Sequence, residues 1–204
     1  MTHLKIMFDN NDFNINNDLR VELLSKPAIQ TYCKKNDLNG ITDMQYMIKK
    51  KAKDKEGNEI DSIDKKDYNL RYTYHYEEVL SADSEQISNL LEHIADLKKI
   101  FRYIHRLSFT KEGLPLRIDL SRVKTNKQSR GRLLSANDIK SSGLFKNDEL
   151  FEIEIEVIDH TDPNLLNKIK SSIKLVLSAL QQTNYPARLP PHNSRYYREA
   201  EKSS

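Results

Sequence analysis

Alternation of apolar and polar residues is the main pattern in this chain, and it predicts β-strands along much of its length. The clearest case begins after Asp18, where LRVELL places leucine and valine on one face and charged residues on the other. Turn-forming residues separate the alternating segments, which is typical of strands joined by hairpins. The predicted strands are 19–24, 45–53, 69–77, 101–109, 114–124 and FEIEIEV at 151–157.

Two long segments and one short segment have helical periodicity instead. The dipeptide Asp162-Pro163 marks the start of the last helix, because Asp favours the N-cap and Pro the first turn. The predicted helices are 28–35, then 84–98 with the stripe Ile87, Leu90, Leu91 and Ile94, then the segment after Pro163 with Leu166, Ile169, Ile173, Val176, Leu177 and Leu180. Together these elements predict an α+β fold, an antiparallel barrel or tunnel of about seven to eight strands with two main flanking helices.

The same patterns divide the chain into one domain and a tail. Residues 1–182 form the predicted domain, within which 1–17 is an atypical N-terminal segment containing the short apolar run HLKIMF and the turn-like DNNDFNINND. Residues 183–204 are rich in proline and polar residues, so we expect a tail or the remnant of a linker there.

Composition narrows the class of protein without identifying it. The chain has 204 residues, 31% of them charged, and a mean hydropathy of -0.73, which favours a sheet with one wet face or a polar interior. The net charge of +3 is too small to indicate a nucleic-acid partner by itself. A lone cysteine, Cys33, excludes an internal disulfide, and no apolar run approaches the ~20 residues of a spanning helix. We therefore expect a soluble, intracellular protein with no membrane partner.

The segment FEIEIEV carries three glutamates on one strand face: Glu152, Glu154 and Glu156. Neighbouring carboxylates on one face lie roughly 6.6 Å apart. Their repulsion is about 2.5 kcal/mol at an effective dielectric of about 20, and about 0.6 kcal/mol in open water. Two interpretations follow: a solvated polar face, or an inward face where a divalent cation removes the repulsion. Three oxygen donors suit Mg²⁺ or Mn²⁺.

Charged residues at the polar positions of the other strands favour the inward interpretation. These residues are Arg71, Arg102, Arg106, Arg117 and Asp119. A guanidinium group binds two phosphate oxygens at once, in a bidentate manner. Arginines facing a glutamate strand therefore predict a metal-dependent polyphosphate site. Each arginine taken alone is also consistent with an ordinary surface residue.

Several other residues favour structural roles. His75 and His105 lack a second histidine at metal-binding spacing, so they are expected to pack or to face solvent. Tyrosines 72, 74 and 76 alternate like a sheet face packed against a helix. Lysines 49, 50, 51 and 53 either line a phosphate channel or solubilise an edge strand.

The order of these segments resembles a known family. DLRVELLSKPAIQTYCKKNDL, DYNLRYTYHYEE, KKIFRYIHRLSF, LPLRIDLSRVK, FEIEIEV and ALQQTNYP are similar to motifs of the RNA 5'-triphosphatase domain of mRNA-capping enzymes from large DNA viruses. These domains are triphosphate tunnel metalloenzymes, and the resemblance covers about Asp18 to Pro186. It implies an eight-stranded antiparallel tunnel that removes the γ-phosphate from triphosphate-ended RNA or NTP. It also implies a cytoplasmic location, in the viral factory of an infected cell, or a place in the virion.

The resemblance also implies roles for individual residues. The residues it implies are Glu152, Glu154 and Glu156 as catalytic ligands of Mg²⁺ or Mn²⁺, Asp119 as the acid that orients water, and Arg71, Arg102, Arg106, Arg117 and Ser108 as phosphate-binding residues.

Two departures from the family pattern leave an alternative function open. The family has a further acidic strand near its N-terminus, whereas this chain has MTHLKIMFDNNDF there, and Ile104 stands where the family often has a basic residue. The alternative is a non-catalytic module that binds RNA ends or polyphosphate, or a scaffold of a viral capping complex. On that view the chain is a fragment, a split product or a degenerate domain, and its partner is a guanylyltransferase or a chain that supplies the acidic strand. A third interpretation is a small viral structural protein with solvated charges.

Overall fold

The computed structural model describes residues 1–9, 15–68, 70–129 and 132–182. The helices are α1 (Lys26–Lys35), α2 (Glu85–His93) and α3 (Leu165–Gln182), with 3₁₀ turns at Lys66–Tyr68 and Leu144–Lys146. The strands are β1 (Thr2–Asp9), β2 (Leu19–Leu23), β3 (Met44–Lys51), β4 (Ile63–Lys65), β5 (Leu70–Tyr72), β6 (His75–Leu80), β7 (Lys98–Thr110), β8 (Leu116–Thr125), β9 (Gln128–Ser129), β10 (Arg132–Leu133) and β11 (Leu150–Val157).

Seven of these strands form one antiparallel sheet in the order β11-β8-β7-β1-β2-β3-β6, which curls into a half-barrel. The predicted α+β class, with a curled antiparallel sheet and flanking helices, is confirmed. β1 lies at the centre of the sheet, where Leu4 pairs with Leu23 of β2 and with Tyr103 of β7. The run HLKIMF therefore belongs to the core of the fold, because its apolar residues alternate with His3 and Lys5 at strand spacing.

The hydrophobic core lies between the convex face of the sheet and the helices α1 and α2. Ser25 caps α1 by accepting a hydrogen bond from the Ala28 N–H at 3.3 Å, and Pro27 lies in the first turn. Burial of each core leucine, isoleucine or phenylalanine contributes about 1.5–3 kcal/mol. The largest buried members are Tyr32, Phe101, Leu4, Ile6, Leu19, Leu23, Ile48, Ile87 and Leu90.

α2 is shorter than the predicted helix 84–98, because the residues after Asp96 join the sheet. β7 begins at Lys98, which pairs with Asp9, and Lys99 and Phe101 are both buried. The alternation of buried and less buried positions from Leu97 onward is a strand pattern, and pairing with β1 stabilises it over the helix.

The prediction of one continuous strand over 69–77 is wrong, because this segment contains β5 and the start of β6. The chain leaves β5 at Tyr72 and begins β6 at His75, while the carbonyl oxygen of Tyr74 accepts a hydrogen bond from the Ala52 N–H at 3.0 Å. β5 pairs with β4 in a separate two-stranded sheet. Tyrosines 72, 74 and 76 are exposed by 42%, 54% and 47%, so the expected packing of these rings against a helix is also wrong.

α3 begins at Leu165, a little later than Asp162-Pro163 predicts, and lies beside β11. Asp162 still stabilises the start, because its carboxylate accepts hydrogen bonds from the Asn164 N–H and from Lys168 Nζ, each at 2.8 Å. In the predicted apolar stripe, residues 169, 173, 176 and 177 are half-buried, whereas Leu166 and Leu180 are exposed.

The expected loop 125–143 contains the short hairpin of β9 and β10. The expected tail 183–204 lies outside the described residues. Among the described helices, none combines the length and apolar character needed to cross a membrane.

Candidate functional site

The three glutamates of β11 share the concave face of the half-barrel with charged residues of β8 and β7. In the strand register, Glu152 is the partner of Ser121, and Ser121 is the partner of Arg106. One pleat further, Glu154 is the partner of Asp119, and Asp119 is the partner of Ser108. Because core residues such as Phe101 occupy the alternate positions, these polar side chains point away from the helices.

Ion pairs connect these residues into a charge ladder. Arg102 Nη2 donates to both carboxylate oxygens of Glu152, at 2.8 and 3.0 Å. Arg106 contacts Glu154 at 2.7 Å and Asp119 at 3.1 Å. The charge ladder comprises Arg102, Arg106, Arg117, Asp119, Glu152, Glu154 and Glu156, with Arg117 bridging Asp119 and Glu156. In this arrangement guanidinium groups relieve the repulsion between the carboxylates. The sequence pattern predicted a divalent cation in that role.

Asp119 is the fully buried centre of the charge ladder, with 0% of its surface exposed. Its carboxylate lies 3.1 Å from Arg106 Nη1 and 3.1 Å from Arg117 Nε. A buried carboxylate is stable only when cations and donors surround it, so the two arginines hold this charge in place. Asp119 Oδ1 makes an ion pair but has no hydrogen bond, which leaves one buried oxygen able to accept another donor or ligand.

The other wall of the concave face comes from β1, β2 and β3. Lys5 forms an ion pair with Glu22, and Gln45 Nε2 donates to Glu22 Oε2 at 3.1 Å. Burial raises the pKa of Glu22, but the charge and hydrogen bond of Lys5 outweigh it, so the net pKa is lowered. Burial also lowers the pKa of Arg20, which lies on β2 and has Met7 of β1 and Met47 of β3 as its register partners.

Curvature brings the two walls towards each other. β3 and β11 are five strand spacings apart, or roughly 24 Å in a flat sheet. Burial lowers the pKa of Lys49 on β3, while the carboxylates of Glu77 and Glu154 act in the opposite direction. Because the sheet curls into a half-barrel, Lys49 and Glu154 lie on the same concave face and closer together than they would in a flat sheet.

Positive and negative side chains are balanced across the strands that line this face. The cations are Lys5, Arg20, Lys49, Lys51, Lys98, Arg102, Arg106 and Arg117, and the anions are Asp9, Glu22, Glu77, Asp119, Glu152, Glu154 and Glu156. Similar numbers of the two signs favour a ligand that itself carries both signs.

The structure brings together all but one of the residues that the sequence predicts for the site. Arg71 is the exception: it lies on β5, outside the seven-stranded sheet, and its guanidinium contacts Asp64 at 2.7 and 3.1 Å. β5 pairs with β4 in a separate sheet, so the register does not place Arg71 in the charge ladder, and its phosphate-binding role stays a prediction. Ser108 lies beside Asp119 on the concave face and is exposed.

Ile104 and Val123 form an apolar floor between the rows of arginines. They are partners across β7 and β8, and both are buried. An apolar floor lowers the local dielectric and so strengthens the charge interactions above it. Ile104 thus has a packing role at the position where the resembling family often has a base.

The donor chemistry suits a hard cation, but the present arrangement does not assemble a metal site on its own. The carboxylates offer oxygen ligands, and Asp119 Oδ1 is a buried oxygen without a hydrogen bond. Among the described residues, however, no three His, Cys, Asp or Glu side chains converge closely enough to hold an ion. The ladder carboxylates are instead engaged by arginines, so a metal would have to arrive with an anion that occupies those arginines.

The concave-face residues absent from the predicted site set include Lys5, Arg20, Glu22 and Lys49, of which Lys49 is predicted only as a channel or edge-strand lysine. The alternation of apolar and polar residues along each strand could have identified them, because each alternates with buried neighbours such as Leu4, Val21 and Ile48. How close they lie to the charge ladder depends on the curvature of the sheet, which the alternation does not specify.

Comparison of the chain with protein-family models, with curated proteins and with solved structures gave no match in any of the three.

Proposed function

We propose that the concave face binds a metal-complexed triphosphate and acts as an RNA 5'-triphosphatase, removing the γ-phosphate from triphosphate-ended RNA. The observation that carries the proposal is the charge ladder on the concave face, where guanidiniums and carboxylates alternate around the buried Asp119 while Glu154 and Glu156 reach solvent, 55% and 54% exposed. The resemblance of the strand motifs to tunnel triphosphatases supports the same reaction.

Charge balance explains why a metal–triphosphate complex suits this face better than either component. A bare polyphosphate would meet Glu152, Glu154 and Glu156, and a bare metal would meet the arginines. The complex presents its metal to the carboxylates and its phosphate oxygens to the guanidiniums. Each carboxylate–guanidinium ion pair is then replaced by a carboxylate–metal contact and a guanidinium–phosphate contact. No charge is then left buried and unpaired.

The residues then have distinct roles. Glu152, Glu154 and Glu156 would hold Mg²⁺ or Mn²⁺, which draws negative charge from the phosphoryl oxygens. Arg102, Arg106 and Arg117 would bind the phosphoryl oxygens and stabilise charge that develops during transfer. Asp119 would accept a hydrogen bond from the attacking water and orient it towards the γ-phosphorus. The products are inorganic phosphate and a diphosphate RNA end.

The decisive experiment measures γ-phosphate release from triphosphate-ended RNA in the presence of Mg²⁺ or Mn²⁺. Glu154→Ala and Arg106→Ala should each lower the rate by about 100-fold or more, because each removes a contact made to the reacting group. The matched controls are Lys50→Ala and Glu78→Ala, which break a 2.8 Å ion pair on the opposite face of the same sheet. The controls should keep wild-type activity. Absence of both release and triphosphate binding in folded protein would overturn the proposal.

A second candidate function is non-catalytic binding of a triphosphate end. The observation that favours it is the composition of β1, which places His3 and Lys5 on the concave face and no carboxylate there apart from Asp9 at its end. Binding of triphosphate-ended RNA without phosphate release would select this function. A further comparison would then test whether an added guanylyltransferase, or a chain with an acidic strand, restores release.

A further inference from the structure

A cavity lies on the convex face, behind the charge ladder. It has a volume of about 220 Å³ and lies between the first residue of α1, Lys26, and the strands β7 and β8. Its strand side comprises Thr2 of β1, its register partner His105 and Tyr103 of β7, and their register partners Arg122 and Lys124 of β8. The positions on β7 and β8 alternate with the ladder residues along each strand, so this cavity and the concave face are separate.

The cavity is cationic. Lys26, Arg122 and Lys124 line it, and Glu149 is the one acidic residue in the lining, 4.0 Å from the Arg122 guanidinium. Lys124 Nζ donates to the carbonyl oxygens of Phe145 and Asn147, at 3.3 and 3.2 Å. An ammonium group has three N–H donors, so these two bonds fix its position and leave one donor for a ligand. Such a pocket favours an anion.

Exposed aromatic rings lie beside these cations. Phe145 is 49% exposed and makes an edge-on contact with Tyr103, with ring centroids 5.4 Å apart. Phe151 is 75% exposed and is the register partner of Arg122, so the two side chains are neighbours on one face. Cations interleaved with exposed aromatic rings are typical of surfaces that bind single-stranded nucleic acid, where phosphates meet the cations and bases stack on the rings.

We propose that this convex surface, with Lys26, Arg122 and Lys124 around the cavity and Phe145 and Phe151 beside it, binds the backbone of a single-stranded nucleic acid. The volume is below the ~300 Å³ at which sites for drug-sized ligands begin, which suits one phosphodiester group and not a whole buried nucleotide. The bases then lie outside the cavity, on the phenylalanine rings. This binding does not depend on the proposed function, because it requires no triphosphate.

The experiment measures fluorescence anisotropy of a labelled 12-nucleotide single-stranded RNA with a 5'-hydroxyl end, titrated with the full chain at two salt concentrations. We expect binding that weakens as salt increases. Arg122→Glu should weaken it at least tenfold, and Phe151→Ala at least fivefold through lost stacking. The matched control is Lys55→Glu, the same type of charge reversal at an exposed lysine that follows β3, three strands from β7 in the sheet, and it should change affinity less than twofold. Far-UV circular dichroism checks that each variant is folded, and Lys26→Gln is a milder second variant that should weaken binding about threefold.

Three outcomes would overturn the inference. The first is no binding of the 5'-hydroxyl RNA at low salt, or equal affinities for Arg122→Glu and Lys55→Glu. The second is a change of oligomeric state in Phe151→Ala, measured by light scattering, with RNA affinity unchanged. That result would assign the face to a protein partner, consistent with the neighbouring exposed residues Leu107, Leu120 and Ile153. Competition by orthophosphate alone, with no preference for RNA, would reduce the cavity to a simple anion site and would also contradict the proposal.

Discussion

Asn126 is buried just beyond the end of β8, and its side-chain amide ties three main-chain segments together. Its Oδ1 accepts from the Phe101 N–H at 2.8 Å, and its Nδ2 donates to the carbonyl oxygens of Lys99 and Leu134 at 3.0 and 2.9 Å. A buried amide or carbonyl left without a partner costs about 1–3 kcal/mol.

Asn126→Ala should therefore lower the free energy of unfolding by about 3 kcal/mol or more, measured by urea denaturation. The control is Asn39→Ala, which removes an exposed amide whose bonds stay within one turn, and which should cost about 0.5 kcal/mol or less. Similar losses for the two variants would show that the three bonds of Asn126 do not stabilise the fold.

His3 should make stability depend on pH in a defined window. Burial, with the nearby charge of Lys5, lowers its pKa from 6.5 to about 4, despite the opposing charge of Glu22. Between these values the unfolded chain binds a proton that the folded protein does not, so stability falls as the pH decreases from 6.5 to 4. The full effect is on the order of 3 kcal/mol.

The measurement is urea denaturation of the wild type and of His3→Gln at several pH values from 4 to 8. Because glutamine does not titrate, the difference in stability between the two proteins should be constant above pH 7 and change by 1–3 kcal/mol, on the order of that full effect, towards pH 4. A difference that stays constant over the whole range would contradict the assignment to His3.

At the scale of elements, strand alternation in the sequence predicted the faces of β2, β7, β8 and β11 correctly. Alternation is visible within a single strand, so Glu154 and Asp119 could be placed on polar faces before any pairing between strands was known. The end of α2 and the break before β6 could not be predicted, because pairing of Lys98 with Asp9 and the hydrogen bond from Ala52 to Tyr74 join residues distant in sequence. The ion pairs of the charge ladder depend on register between strands, which is also set by distant contacts.

The ladder itself should show energetic coupling between strands. Arg102 of β7 forms an ion pair with Glu152 of β11, in which Nη2 donates to both carboxylate oxygens. The two side chains are 29% and 20% exposed. In a double-mutant cycle with alanine at each position, we expect a coupling energy of about 1 kcal/mol, because each single variant leaves the partner's charge unpaired.

The control cycle uses Lys50 and Glu78, an ion pair whose side chains are 40% and 50% exposed. Screening by solvent should reduce its coupling to about 0.3 kcal/mol. Equal couplings in the two cycles would show that partial burial on the concave face gives this ion pair no additional strength.

For the whole molecule, the balance of charges on the concave face predicts mutual dependence of two ligands. Mg²⁺ with inorganic triphosphate should raise the thermal midpoint by about 5–10 °C when the complex is 100-fold above its dissociation constant. Mg²⁺ alone and triphosphate alone should each raise it much less, since each would leave one set of ladder charges unmatched. Differential scanning fluorimetry measures all three conditions.

The same titration with Glu154→Gln separates the two components. Loss of one carboxylate should reduce the stabilisation by the complex and slightly increase the stabilisation by triphosphate alone. If triphosphate alone stabilises the wild type as strongly as the complex does, the face is a plain anion site without a metal.

The central position of β1 has a consequence for the order in which the molecule is assembled. The sheet consists of two meanders, β2-β3-β6 and β7-β8-β11, and β1 joins them by pairing with β2 and with β7, from Thr2–His105 to Asp9–Lys98. A chain emerging from the ribosome can form the β1–β2 hairpin early, but β1 remains an open edge until about a hundred residues are available. During synthesis this edge is the place where two nascent copies would associate, and β7 is the segment whose arrival ends that exposure.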